Sequence, residues 1–106
     1  MTSYDVFKAG ANCSDAKGPA QAAGLTPGNI DVLLHRNLEF NDVLSAGAKK
    51  YDFDVASPRL ATLCEPDSDK LGADIQGIDD PAPFHPTGVG MIRIAAAVTR
   101  VIHASD

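Results

Sequence analysis

Positive charge is scarce in this sequence. Nine Lys and Arg residues stand against fourteen Asp and Glu residues, which gives a formal net charge of −5 at pH 7. Proteins bind nucleic acid and anionic membranes mainly through clusters of Lys and Arg, and this sequence has no basic stripe. We therefore expect neither nucleic acid nor an anionic membrane surface as the main partner.

Long apolar runs are also missing. No run approaches the roughly 18 apolar residues that mark a transmembrane helix. Residues 1–5 lack the basic and apolar regions of a signal peptide. The sequence predicts no transmembrane segment and no signal peptide. With 106 residues, of which 44% are hydrophobic and 22% charged, it has the composition of a single globular domain spanning 1–106.

Metal-ligand patterns are absent too. The two cysteines and three histidines show no C-x-x-C or H-x-x-x-H spacing. An acidic stretch begins at Asp67 like a calcium loop, but its fifth position is Leu71 and its twelfth is Ile78, and neither side chain has an oxygen. We expect no metal and no cofactor.

Helical periodicity occurs in two segments. The first runs from about Asn29, a candidate N-cap, to Lys50, and the second from Val89 to about His103 after the candidate N-cap Thr87. Apolar residues in the first segment recur near a period of 3.6, at Ile30, Leu33, Leu34, Leu38 and Leu44.

Two further segments have the pattern of strands. Tyr4–Phe7 is a short apolar piece, and Tyr51–Val55 alternates apolar residues with aspartates that would face solvent. Long loops over residues 9–29 and 57–84 separate these elements. Alternating strands and helices predict an α/β fold with a parallel sheet, in which ligands bind where the strands end.

One histidine lies in a strongly restricted loop, Pro83-Phe84-His85-Pro86. Prolines fix their own φ and push the preceding residue out of the helical region, so His85 should lie on a stiff loop just before the last helix. A rigidly held imidazole is suited to act as a general base. The alternative interpretation is a surface-loop histidine without a function.

Several of these features together resemble the C-terminal half of SGNH/GDSL hydrolases, in particular the secreted bacterial lipases and esterases. The resemblance covers roughly residues 4–104. It depends on a cysteine in each long loop, a helix with leucines six residues apart, a following strand, a His-Pro-x-x-x-Gly step and an Ala-rich last helix: Cys13, Leu38, Leu44, Tyr51–Val55, Cys64, His85, Pro86 and Gly90.

The resemblance implies a partial three-layer α/β/α, flavodoxin-like fold with parallel strands. It also implies hydrolysis of a small-molecule ester or lipid through an acyl-serine, with His85 as the general base, and a secreted or cell-envelope location. The family's acid lies three residues before the histidine, where this chain has Ala82. Asp80, Asp79 or a main-chain carbonyl near Ala82 would then orient the imidazole.

The serine part of such a site is missing from the sequence. There is no Gly-Asp-Ser-Leu or Gly-x-Ser-x-Gly motif, and no asparagine has the Gly-x-Asn-Asp context of an oxyanion donor. We therefore expect a C-terminal segment of an ester hydrolase that is inactive alone and that self-associates or lacks an N-terminal half. The alternative is a small non-catalytic α/β binding or interaction module.

The resemblance also includes the positions of the two cysteines. Cys13 and Cys64 lie in loops that resemble disulfide-bearing loops of the secreted hydrolases, in which each would pair with a nearby cysteine of its own region. No such neighbour exists here. We expect two free thiols, and the alternative is a single Cys13–Cys64 bridge.

Overall fold

A computed structural model describes residues 1–13, 22, 24–64 and 74–104 of the chain. Two α-helices dominate these residues: α1 spans Pro27–Lys50 and α2 spans Gly88–Ala104. Apart from the helices, the described residues form turns, loops and two isolated β-bridges. One bridge pairs Phe7 with Leu63 in parallel and the other pairs Ile75 with Pro86 in antiparallel orientation. Most of the acidic stretch that begins at Asp67 lies outside the described residues.

The predicted α/β fold with parallel strands, and with it the three-layer flavodoxin-like architecture, is wrong. The described residues contain no sheet, and the predicted strand Tyr4–Phe7 contributes one bridging residue. The helices are confirmed close to their predicted positions. The structure described is therefore a small helical fold.

The second predicted strand, Tyr51–Val55, does not form, and its first three residues instead make the C-terminal cap of α1. Tyr51 is the C-cap, Asp52 has a left-handed φ of 56°, and the Phe53 N–H donates to the Ala48 carbonyl at 2.9 Å. The Asp52 N–H donates to Lys49 at 3.4 Å, which completes a Schellman motif. The backbone donors that a strand would offer a neighbour are thus used to close the helix.

The start of α1 differs from the prediction by three residues. Thr26 is the N-cap and Asn29 is the third helical residue, with Pro27 between them at the first helical position. The Thr26 hydroxyl accepts from the Asn29 N–H at 3.3 Å, and the Asn29 side chain accepts from the Thr26 N–H at 3.2 Å. Both residues therefore belong to a capping box, in which an asparagine takes the usual place of Glu or Gln.

Two asparagines on α1 hold the N-terminal segment in place. The Asn41 amide accepts from the Ser3 N–H at 2.7 Å and donates to the Ser3 carbonyl at 2.9 Å. Asn37 donates to the Tyr4 carbonyl at 3.3 Å. Backbone polar groups need partners when they are taken from water. Side-chain amides of a helix supply them here, which is why the strand-like segment needs no neighbouring strand.

The core lies between the N-terminal segment, the start of α1 and the loops. Its buried members are Phe7, Cys13, Ala22, Ile30, Leu63 and Ile75. A disulfide joins Cys13 to Cys64 within this core, with 5.4 Å between their Cα atoms. The expectation of two free thiols is therefore wrong. The parallel β-bridge between Phe7 and Leu63 brings together the segments that carry the two cysteines.

Candidate functional site

His85 is exposed and lies on a loop, three residues before α2 begins at Gly88. Its own N–H donates to the Ala82 carbonyl at 3.1 Å, which closes a tight turn. The Thr87 hydroxyl accepts from the Gly90 N–H at 3.2 Å, so Thr87 caps α2 as the sequence predicts. The prediction that His85 stands outside the helix is confirmed.

The loop that carries His85 is folded around one residue, Gln76. The Gln76 N–H donates to the His85 carbonyl at 2.8 Å, and the Gln76 carbonyl accepts from the Phe84 N–H at 2.9 Å. Its side chain donates to the Pro86 carbonyl at 3.3 Å and accepts from the Ala82 N–H at 3.2 Å. One half-buried residue thus binds four residues of the loop, on both sides of the histidine.

The residue before the histidine has an unusual backbone conformation. Phe84 has a φ of 66°, in the left-handed region that bulky side chains rarely adopt. Tyr4 donates from its hydroxyl to the Phe84 carbonyl at 3.1 Å, and the Phe84 ring meets the Phe7 ring edge-on with 6.1 Å between centroids. A residue keeps such a strained conformation only when its surroundings fix it, and these contacts fix Phe84.

A buried carboxylate anchors the base of the loop. Asp74 is fully buried, and its side chain accepts from the Ala61 N–H at 2.6 Å and from Arg93 Nε at 2.9 Å. Its carbonyl accepts from the Thr87 N–H at 2.9 Å. Asp74 therefore connects the loop at Ala61 and the start of α2 to the segment that contains Gln76. Sequence reasoning missed Asp74 and Gln76, because neither belongs to a periodic or catalytic pattern.

The carboxylate of Asp80 is bonded to the backbone of the loop. The Asp80 carboxylate accepts from the Gly77 N–H at 2.7 Å, and Asp79 is exposed. Among the described residues no hydrogen bond joins Asp80, or any serine, to His85. The Ala82 carbonyl receives the backbone N–H of His85. As the loop stands, Asp80 stabilises a turn and the imidazole faces solvent.

An apolar cavity of about 540 Å³ has Phe84 of the loop in its wall. Its volume is within the range of small-molecule sites, and most of its wall is aliphatic or aromatic. Asp5 and Asn37 contribute polar groups. The apolar wall is formed by Tyr4, Val6, Phe7, Leu25, Leu33, Leu34, Ile78 and Phe84. Phe84 lines the cavity, whereas His85, the next residue, does not.

The described part of the chain has neither a metal site nor a membrane-spanning helix. No group of His, Cys, Asp or Glu within it has the arrangement to hold a metal ion. Within the same residues, neither helix combines the length and the apolarity that crossing a membrane requires. The expectation of no transmembrane helix is confirmed to that extent.

No family model, curated protein or solved structure matches this chain. A functional assignment therefore depends on the residues of the site and on their geometry.

Proposed function

We propose that this chain supplies the general-base histidine of an SGNH/GDSL-type serine ester hydrolase, whose serine and oxyanion donors come from another segment or chain. The observation that carries the proposal is the exposed imidazole of His85 on a loop whose backbone is fixed by Gln76. The residues of the loop support this role, whereas the described residues do not have the α/β fold that the resemblance implies.

The loop has properties that proton transfer requires. An imidazole accepts a proton from a serine hydroxyl and returns it to the leaving alcohol, and it must stay within hydrogen-bond reach of both. Fixed backbone on both sides of His85 restricts the ring to its side-chain rotamers, and the residue is exposed to solvent. The ring would be oriented by Asp80 after release from Gly77, or by a carbonyl near Ala82.

Complementation tests the proposal directly. The chain would be co-expressed with the serine-bearing N-terminal half of an SGNH esterase, and hydrolysis of a p-nitrophenyl ester would be measured. We expect saturable turnover by the mixture, no turnover above background by the chain alone, and loss of turnover in His85→Ala. The matched control is His35→Ala, which removes an exposed histidine of α1. Turnover that survives His85→Ala refutes the proposal.

The coding DNA offers an independent check of the partner. If a serine-bearing segment belongs to this chain, the upstream reading frame should encode a Gly-Asp-Ser motif followed by Gly-x-Asn-Asp. These motifs supply the nucleophile and the oxyanion donors that the present residues do not. An unrelated upstream frame would favour a separate partner chain or the second candidate function.

The second candidate is a non-catalytic module that binds an apolar molecule. The cavity of about 540 Å³ favours it, because apolar pockets of this size serve as ligand sites in many proteins. Fluorescence of the neutral probe N-phenyl-1-naphthylamine would report occupancy. We expect Leu33→Asp, in the cavity wall, to abolish binding and Ile92→Asp, on the exposed face of α2, to leave it unchanged. Equal losses would show that the probe binds exposed apolar surface generally.

A further inference from the structure

We propose that Gln76 is the positioning residue for His85, acting through its side-chain amide on the two ends of the histidine loop. This inference rests on the proposed hydrolase function for its catalytic meaning. The loop keeps its conformation because one amide group donates a hydrogen bond at one end of the loop and accepts one at the other.

The side-chain bonds are specific to an amide. Nε2 donates to the Pro86 carbonyl at 3.3 Å, and Oε1 accepts from the Ala82 N–H at 3.2 Å. A carboxylate accepts without donating, and a thioether is at most a weak acceptor. Glutamine can therefore bond to both ends of the loop. The side chain of Asn is one methylene shorter. The backbone bonds of Gln76 to His85 and Phe84 can be made by other residues as well.

These bonds define the conformation of the histidine backbone. The His85 N–H is bound to Ala82 and its carbonyl is bound to Gln76, so the peptide groups on both sides are fixed. The amide of Gln76 then holds the next carbonyl, that of Pro86. A catalytic side chain must be held within a fraction of an ångström of its productive position, and this loop supplies that restraint through the backbone.

Gln76 is itself anchored in the body of the protein. Ile75 is fully buried in the core, and Asp74 is fully buried between the Ala61 N–H and Arg93. On its other side, the N–H of buried Gly77 donates to the Asp80 carboxylate at 2.7 Å. The amide thus extends from a fixed segment toward a loop that has no helix or sheet of its own.

The first test uses the chain alone. Gln76→Met keeps the length of the side chain and removes both hydrogen bonds, so we expect the amides of Phe84 and His85 to exchange with solvent about tenfold faster, as for the loss of ordinary hydrogen bonds. Asn41→Ala is the matched control, because it removes two backbone hydrogen bonds at Ser3. Unchanged exchange in Gln76→Met overturns the inference.

A second variant separates hydrogen bonding from packing. In Gln76→Glu the ionised carboxylate would face the Pro86 carbonyl, whereas the protonated acid can donate to it. The coupling between the amide and Hα protons of Phe84 reports φ, and it should return to the wild-type value as pH falls below about 4.3, the ordinary pKa of Glu. A pH-independent coupling in Gln76→Glu contradicts the inference, since packing alone has no such pH dependence.

The complemented enzyme distinguishes this inference from the proposed function. We expect Gln76→Met to lower kcat about tenfold with KM unchanged, because the imidazole is misplaced while substrate binding is kept. If Gln76→Met loosens the loop but His85→Ala leaves hydrolysis intact, the loop role of Gln76 stands and the hydrolase function fails. If His85→Ala abolishes hydrolysis and Gln76→Met changes neither exchange nor kcat, the function stands and the positioning role fails.

Discussion

Substitution of Gly90 by alanine should destabilise this protein, although alanine is the better helix former. Gly90 is the third residue of α2 and is buried. A Cβ at this position would overlap the carbonyl oxygen of Asp74 and approach the Pro86 Cβ at 3.2 Å. The Asp74 carbonyl is backbone and accepts from the Thr87 N–H, so it cannot move without loss of that bond. The glycine of the His-Pro-x-x-x-Gly step is thus explained by close packing.

Three contributions set the expected change in the free energy of unfolding, one stabilising and two destabilising. Helix propensity favours alanine by about 1 kcal/mol, and by less in a first turn. Overpacking against fixed atoms costs about 1–3 kcal/mol, and loss of the Thr87 hydrogen bond adds about 1 kcal/mol. The net expectation is a loss of about 1–3 kcal/mol in the free energy of unfolding, or a fall in Tm of at least about 4 °C.

Urea denaturation followed by helical circular dichroism measures this change. The matched control is Gly47→Ala in α1, where a new Cβ meets no atom within 4 Å. That variant should gain about 0.5–1 kcal/mol. A Gly90→Ala protein as stable as the wild type, with an unchanged m-value, would show that α2 does not rest on the Asp74 carbonyl and would refute the reasoning.

Three further predictions concern stability. Reduction of Cys13–Cys64, which are 51 residues apart, should lower the free energy of unfolding by about 4 kcal/mol; equal urea midpoints with and without reductant would contradict it. Thr26→Ala should lower the free energy of unfolding by about 1 kcal/mol, because it removes the N-cap of α1. A variant that loses less helical signal on heating than the wild type would argue against the cap. Burial raises the pKa of the Tyr4 hydroxyl, so its contribution to stability is present below about pH 10 and is lost as the pH rises further. Tyr4→Phe, which also loses the bond to Phe84, should flatten that alkaline decline in urea midpoints; an unchanged decline would assign it to other groups.

Local signals predicted the helices well. The 3.6-residue period places α1, and Thr87 with the apolar run behind it places α2. Capping and periodicity act over one or two turns, so a short stretch of sequence contains the information. The prolines around His85 act over still shorter distances, and they placed that residue on a loop.

The strands failed for a reason that lies in pairing. Tyr51–Val55 alternates apolar and acidic residues, but alternation makes a strand only when another segment offers its backbone. The Schellman turn at Asp52 takes the nearby donors, and Phe53 is 70% exposed as a result. Likewise the amides of Asn37 and Asn41 satisfy the backbone beside Ser3 and Tyr4.

The sequence by itself determined the helices, the cap of α2 and the loop position of His85, because each depends on the covalent geometry and propensities of a few consecutive residues. The tertiary structure decided how distant residues meet. Asp74 lies 19 residues from Arg93, and the two cysteines lie 51 residues apart. The roles of Gln76 and Gly90 likewise depend on which backbone atoms the folded chain brings against them. Contacts of that kind are set by packing of the whole chain, and no local pattern encodes them.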